Sequence, residues 1–362
     1  MIKRNNDRKK EMVLSMKRKW KWWSLFFLLL VVLVGWVVSR QAVKEQVVYD
    51  DEQKGLEKQI IVYFSHVVAE NTPKGLAAQK FAELVEQKTN GRVKVEVFAN
   101  GSLYSDGEEL DALLRGDVQM IAPSFSKVTE LIPEWQVLDL PFLFRDDDHV
   151  RRVLTGEVGE ELLRLLETKG IKGLAFWSNG FKQMMSMARP LIKPDDFRGL
   201  RFRIMPSEVI EKQFRLLGGE PVAVSFDHVY RALEQHKFDG QENTISNLYS
   251  KGFYKFQPYL TISNHGYLGY VVMVNESFWD HLPVDIQRNI MEAMREATEW
   301  NWQKAKEQNE KELAQLRRRQ DVHVYWLTAQ EKEEWEKKFS PLYEAYTRQF
   351  GSRWLDDIRE PK

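Results

Sequence analysis

From residue 60 onward, apolar positions repeat with two periods, and the chain alternates between them. Ile60-Ile61-Val62-Tyr63-Phe64 is an unbroken apolar run, which suits a strand covered on both faces. Thr72 then supplies an N-cap, with Pro73 at the first helical position. Leu76, Ala77, Phe81, Leu84 and Val85 keep helical spacing until Asn90-Gly91 stops it. Val93, Val95 and Val97 alternate as the next strand, and a helix near 107–115 and a strand over 118–122 follow. Strand, helix, strand, helix is the rhythm of an α/β fold.

Further on, 137–144 is apolar but interrupted by Pro141, and predicts buried irregular chain. Residues 148–169 read as helix. Residues 174–177 read as a strand running into Asn179-Gly180, a turn signal where the chain is expected to cross first between two lobes. Leu200, Phe202 and Ile204 share one face of a short strand, with Arg201 and Arg203 on the other, and Pro206 ends it. A helix over 227–236 and a strand over 267–274 follow. A long amphipathic helix over 285–318 carries Ile286, Ile290, Met294, Ala297, Ala305, Leu313 and Leu316 on its apolar side. The tail is again helical and charged. Neither an internal repeat nor a low-complexity segment is present.

The N-terminus differs from this body. Lys17-Arg18-Lys19 and Lys21 lead into an apolar run of 17 residues over 22–38, the lower limit for a membrane-spanning helix. The preceding positives should stay cytoplasmic, which puts the body outside, and Trp22, Trp23 and Trp36 suit the two interfaces. Val38-Ser39-Arg40-Gln41 offers no small-x-small cleavage site, which favours a retained anchor over a cleaved signal. The expected order is a basic cytoplasmic segment (1–21), the anchor or signal (22–38) and a polar tether (39–59).

At 362 residues, the chain is long enough for about two domains. Its charges sum to zero, but the first forty residues hold ten Lys or Arg against Asp7 and Glu11, so the remainder carries a net −8. An acidic body argues against nucleic acid as a partner, since phosphate neutralisation needs a basic face. The chain has no cysteine, which rules out disulfides, thiolate chemistry and a lipid-modified cysteine. No Gly-x-Ser-x-Gly, Walker loop, Gly-x-Gly-x-x-Gly or His-Glu-x-x-His occurs, and the seven histidines are scattered. Neither an enzyme nor a metal or cofactor is expected. Two readings of Arg203 stay open: an arginine on the wet face of its strand, or a rigid fork of donors held for a carboxylate.

The order Gly199-Leu200-Arg201-Phe202-Arg203, Gly218-Gly219-Glu220-Pro221 and Asp239-Gly240-Gln241-Glu242-Asn243 resembles the extracytoplasmic solute-binding subunits of TRAP transporters, in their C4-dicarboxylate-binding branch. Ser65-His66-Val67-Val68, Thr72-Pro73-Lys74-Gly75, Asp139-Leu140-Pro141-Phe142 and Asn179-Gly180-Phe181-Lys182-Gln183 fit the same pattern, and the resemblance spans about 60–349.

The resemblance implies an α/β, two-lobed periplasmic-binding-protein-like fold of type II character, with a hinge and a long C-terminal helix bridging the lobes. The lobes would be 60–180 with 268–308, and 181–267 with 309–350. It implies capture of a small carboxylate in the cleft and delivery to TRAP permease subunits, at the outer face of the cytoplasmic membrane. A sensory ectodomain of the same fold, serving a signalling partner, is the alternative. Arg203 would grip the ligand carboxylate, Asn243 would donate to it, and Phe226 would pack against the ligand. Lys182 would meet the second carboxylate, though family members with arginine there would hold it by a fork that lysine lacks. Lys127 and His66 would contribute from the first lobe.

Overall fold

The computed structural model describes residues 59–361; the expected cytoplasmic segment, anchor and most of the tether lie outside the described residues. The first half opens with β1 (Ile60–Ser65), α1 (Pro73–Lys88) and β2 (Val93–Phe98), followed by α2 (Glu109–Arg115), β3 (Met120–Ile121) and a one-turn α3 (Phe125–Val128). Thr72 caps α1 as its sequence implies, its hydroxyl accepting from the Gly75 N–H. The apolar 137–144 stretch is a 3-10 helix (Pro133–Asp139) and then irregular buried chain. The expected helix over 148–169 is two helices, α4 (Asp147–Thr155) and α5 (Glu157–Glu167), parted at Gly156. Gly156 is extended there (φ −104°, ψ −163°), and a Cβ on it would stand 2.7 Å from the Arg152 carbonyl oxygen.

The next strand corrects one expectation. β4 (Ile171–Ser186) runs straight through Asn179-Gly180 instead of turning there. Ladder pairing with one neighbouring strand, running from Ile171 to Ser186, overrides the local turn preference, and the dipeptide becomes a bulge, with the register against that neighbour shifting between Ser178 and Gly180. Glycine is needed at 180, where φ is +109° and a Cβ would come within 2.9 Å of Asn309 Nδ2.

The second half runs β5 (Arg201–Ile204), α6 (Glu208–Leu217), β6 (Glu220–Ala223), α7 (Val229–Glu234), β7 (Gly240–Thr244) and α8 (Ile245–Ser250). Then come β8 (Tyr259–Asn275), α9 (Glu276–Asp280), the long α10 (Val284–Arg317), β9 (His323–Trp326), α11 (Ala329–Phe350) and α12 (Arg353–Arg359). The strand expected over 267–274 thus starts eight residues earlier, at Tyr259.

All nine strands of the described residues join one sheet in the order β2-β1-β3-β8-β4-β7-β5-β6, with β9 beside β8. At one end β2, β1 and β3 are parallel, and at the other β7, β5 and β6 are parallel. The long antiparallel pair β4/β8 links these groups. The result is a mixed α/β, two-lobed architecture, each end built of strands alternating with helices. Successive β4 residues supply two cores, Phe176 and Met184 to one and Trp177 and Met185 to the other, as the period-2 pleat requires. Helix α10 lies along both halves. Its Asn301 accepts from the Ser178 N–H at 2.6 Å, Gln308 donates to Asn71 O at 2.7 Å, and Asn309 accepts from the Ser246 N–H at 2.9 Å. Among the described residues, no helix is long and apolar enough to cross a membrane.

Candidate functional site

In open α/β sheets the chain ends of parallel strands present side chains on loops held by a rigid scaffold. Most of the expected site residues sit at such ends. His66 directly follows β1, Lys127 lies in α3 just after β3, Arg203 is the third of four residues in β5, Phe226 follows β6, and Asn243 is the fourth of five in β7. Contacts join the two parallel groups at these ends. Asp106, after β2, accepts from the Phe226 N–H at 3.1 Å and stands 3.7 Å from the Lys127 ammonium. Lys251 donates to Asn100 at 3.2 Å and lies 5.6 Å above the Phe226 ring.

Arg203 decides between its two readings. Phe202 and Ile204 enter one core as their alternation predicts, yet the opposite face is covered as well, and Arg203 is only 1% exposed. Its Nε donates to the Val224 carbonyl at 2.8 Å, while the buried Nη2 has no protein partner among the described residues. A buried donor left unpaired costs about 1–3 kcal/mol, a cost that an incoming acceptor would remove. Burial lowers its pKa to about 10, partly offset by the fields of Asp106, Glu242 and Asp227, and the guanidinium stays charged at neutral pH.

Gln241 is the ladder partner of Arg203, and Asn243, two residues on, shares its face. The Asn243 carbonyl oxygen already accepts from the Thr244 N–H at 3.0 Å and from Asn247 at 2.9 Å, so its amide protons remain as donors. A cationic fork and an adjacent amide donor are the equipment for binding a carboxylate.

Lys182 is placed elsewhere. Its ladder partner is Thr244, and it projects to the face opposite Asn243. There its ammonium meets Glu242 at 2.5 Å. The other Glu242 oxygen accepts from Gln213 at 2.9 Å and from His265 Nε2 at 2.8 Å, and the His265 Nδ1 accepts from the Ser263 hydroxyl at 2.7 Å. Burial alone would raise the Glu242 pKa, but the Lys182 ammonium and the His265 hydrogen bond hold it well below the usual carboxylate range. Burial likewise lowers the His265 pKa, against the pull of Glu242, consistent with a neutral ring.

Four groups beside the site escaped the sequence reading. Asp106 carries no motif. Tyr270 lies in a stretch that reads as plain strand and Asn247 in one with no element assigned, and their hydroxyl and amide stand 3.5 Å apart. Lys74 lies within the quoted Thr72-Pro73-Lys74-Gly75, but spacing on a helix gives no sign that a lysine is buried. It is fully buried, donating to Ala122 O at 2.8 Å, with its ammonium 3.8 Å from the Tyr270 ring centre. His66 is buried too, and neither ring nitrogen has a partner among the described residues. Burial and the nearby Lys74 push its pKa down to about 3, so the ring is neutral. No group of three or more His, Cys, Asp or Glu able to hold a metal occurs among the described residues.

A groove of about 1160 Å³ between α4, α5, β4 and α10 has an apolar floor that includes Phe176, Met294 and Trp302. It touches none of the buried polar groups above, so donor chemistry rather than volume marks the site.

Residues 64–349 match the family model described as bacterial extracellular solute-binding protein, family 7. The chain is 51% identical to the C4-dicarboxylate-binding protein DctB of Bacillus subtilis over 316 residues, 87% of this chain and 90% of that one. A solved TRAP periplasmic solute-binding protein of Sulfurospirillum deleyianum, with bound succinate, superposes with a TM-score of 0.81 at 42% identity, covering 84% of this chain and 99% of the other. One from Pseudomonas aeruginosa, with bound L-malate, gives 0.77 at 38% identity, covering 79% and 100%.

Proposed function

Since the chain belongs to family 7 of the bacterial extracellular solute-binding proteins, substrate-binding transport proteins rather than enzymes, we propose that it captures a C4-dicarboxylate such as succinate or malate and hands it to the membrane subunits of a TRAP transporter. The observation that carries this reading is Arg203, a charged guanidinium buried at a strand end with one Nη atom unpaired among the described residues. Arg203 grips one carboxylate, Asn243 donates to the same group, and Phe226 covers the ligand's carbon chain. Lys127 and His66 contribute from the other half.

The working unit is a pair of lobes, 60–180 with 268–308 and 181–267 with 309–350, closing over the ligand. Closure excludes water and strengthens the charge pairing, because attraction rises as the local dielectric falls. The protein works outside the cytoplasm, and the basic-flanked run over 22–38 ties it to the outer face of the membrane. Relatives named as dicarboxylate-binding proteins favour delivery to a permease over a sensory role.

Calorimetry with succinate tests the reading. Arg203→Ala should weaken binding by about 2–5 kcal/mol, the cost of stripping a buried carboxylate of its charged partner. Unchanged affinity would overturn it.

A further inference from the structure

We propose that the ligand's second carboxylate is received by Lys74, with His66 beside it, and not by Lys182. The inference rests on the reading of the site given above and names the groups that would select two carboxylates over one.

A dicarboxylate brings two charges, and Arg203 answers one. Lys182 is unavailable, because its ammonium is engaged by Glu242 on the far face of the sheet. Lys127 already faces Asp106 at 3.7 Å. Lys74 differs from both. No carboxylate lies within 4.0 Å of its ammonium among the described residues. Ala122 O accepts one of its three protons and the Tyr270 ring faces the ammonium, which leaves donor capacity over.

Its position adds to this. Lys74 is the second residue of the 16-residue α1, where the helix dipole is positive and disfavours a cation but favours an anion. Burial and an unfavourable dipole act against this ammonium, which makes no direct ion pair among the described residues, and an arriving carboxylate would offset both by supplying one. Its nearest charged neighbours are engaged by other donors. Burial raises the Glu109 pKa to about 7, and that carboxyl is held by the Ser65 hydroxyl at 3.0 Å. Asp106 is shared with Lys127 and the Phe226 N–H.

His66 is the independent sign of a ligand here. Its ring is fully buried at the end of β1 in the field of Lys74, and neither nitrogen makes a well-formed hydrogen bond among the described residues, the Val68 backbone being the polar group that acts on it. The neutral ring keeps one N–H to donate. The connection to the Arg203 pole runs through Tyr270. Its ring faces Lys74, and its hydroxyl stands 3.5 Å from the Asn247 amide that also holds Asn243.

The test is calorimetry on the full chain with two probes, succinate and succinamate, which exchanges one carboxylate for a neutral amide. Wild type should prefer succinate by about 100-fold, as expected of a buried charge pair. Lys74→Met should bind succinate about 100-fold more weakly and lose the preference, with the two affinities within about threefold. Lys74→Gln, which keeps a hydrogen-bond donor toward Ala122, should behave the same way and guards against a misfolded Met variant. A wild type that prefers succinate while both variants keep that preference overturns this inference alone. A wild type that binds neither probe overturns the functional reading, and the inference with it.

Discussion

Lys182 and Glu242 form an interior ion pair at 2.5 Å, each side chain 1% exposed. Removing one member of such a pair leaves the other as an uncompensated buried charge. Lys182→Met should therefore destabilise the protein by about 3–5 kcal/mol. The double variant Lys182→Met/Glu242→Gln should recover most of that loss, because it removes the stranded charge as well. Urea unfolding followed by circular dichroism measures both. A Lys182→Met protein that unfolds at the wild-type urea concentration yet no longer binds succinate would return Lys182 to the ligand.

Gly240 opens β7 directly against Phe202. A Cβ there would stand 2.4 Å from Phe202 Cε1 and 2.9 Å from the Met185 carbonyl oxygen. The ring has little room to move, since it stacks on Phe214 at 4.8 Å between centroids. Gly240→Ala should cost about 1–3 kcal/mol by overpacking, seen as a lower thermal midpoint. Because Gln241 and Asn243 follow on the same short strand, succinate affinity should fall with it. An alanine variant with unchanged melting would mean that this glycine is not there for packing.

These two positions show how far the sequence could be read. Periodicity placed the strands and the long helix because burial along one element is a local property, visible as a repeat. Asn179-Gly180 misled for the opposite reason: a dipeptide that favours a turn in isolation is held in the strand by its ladder with β8. The charged residues were harder still. Alternation showed that Arg203 faces away from Phe202, but its burial there, with Nε held by the Val224 carbonyl, depends on the tertiary fold and leaves no mark in the local pattern. Lys182 and Lys74 look alike in the sequence. One is answered by Glu242 and the other is not, and no spacing rule carries that difference.

Asp139 ties two parts of the site together. Its carboxylate accepts from Ser126 at 2.6 Å, beside Lys127 in α3, and from Ser207 at 2.7 Å, the residue that caps α6 just after the Arg203 strand. Replacing it with alanine leaves two hydroxyls without their acceptor in the interior. Asp139→Ala should cost about 1–3 kcal/mol of stability. It should also weaken succinate binding by about tenfold, since small displacements of positioning groups are costly to affinity. Asp139→Asn, which keeps one acceptor oxygen, should fall between. A loss of stability with unchanged affinity would make this bridge purely structural.

Glu109 gives a pH dependence whose direction can be worked out. Its carboxyl is buried beside Lys74, with Ser65, Asp106 and Lys127 as the other polar neighbours, and burial raises its pKa from 4.5 to about 7 against the pull of Lys74. The folded protein therefore holds this proton more tightly than the unfolded chain does. Stability follows the difference in bound protons, so the contribution of this group is full below about pH 4.5 and is lost as pH rises toward 7. Glu109→Gln mimics the protonated carboxyl and should match wild type in acid. It should then become the more stable of the two as pH climbs, the gap levelling off above 7. Thermal melts of both proteins without ligand, taken from pH 4.5 to 8, report that gap directly, and groups that titrate alike in the two proteins cancel. A gap that stays flat, or opens in favour of wild type, would mean that Glu109 is ionised throughout. Lys74 would then be neutralised by it, and no longer free to meet the second carboxylate.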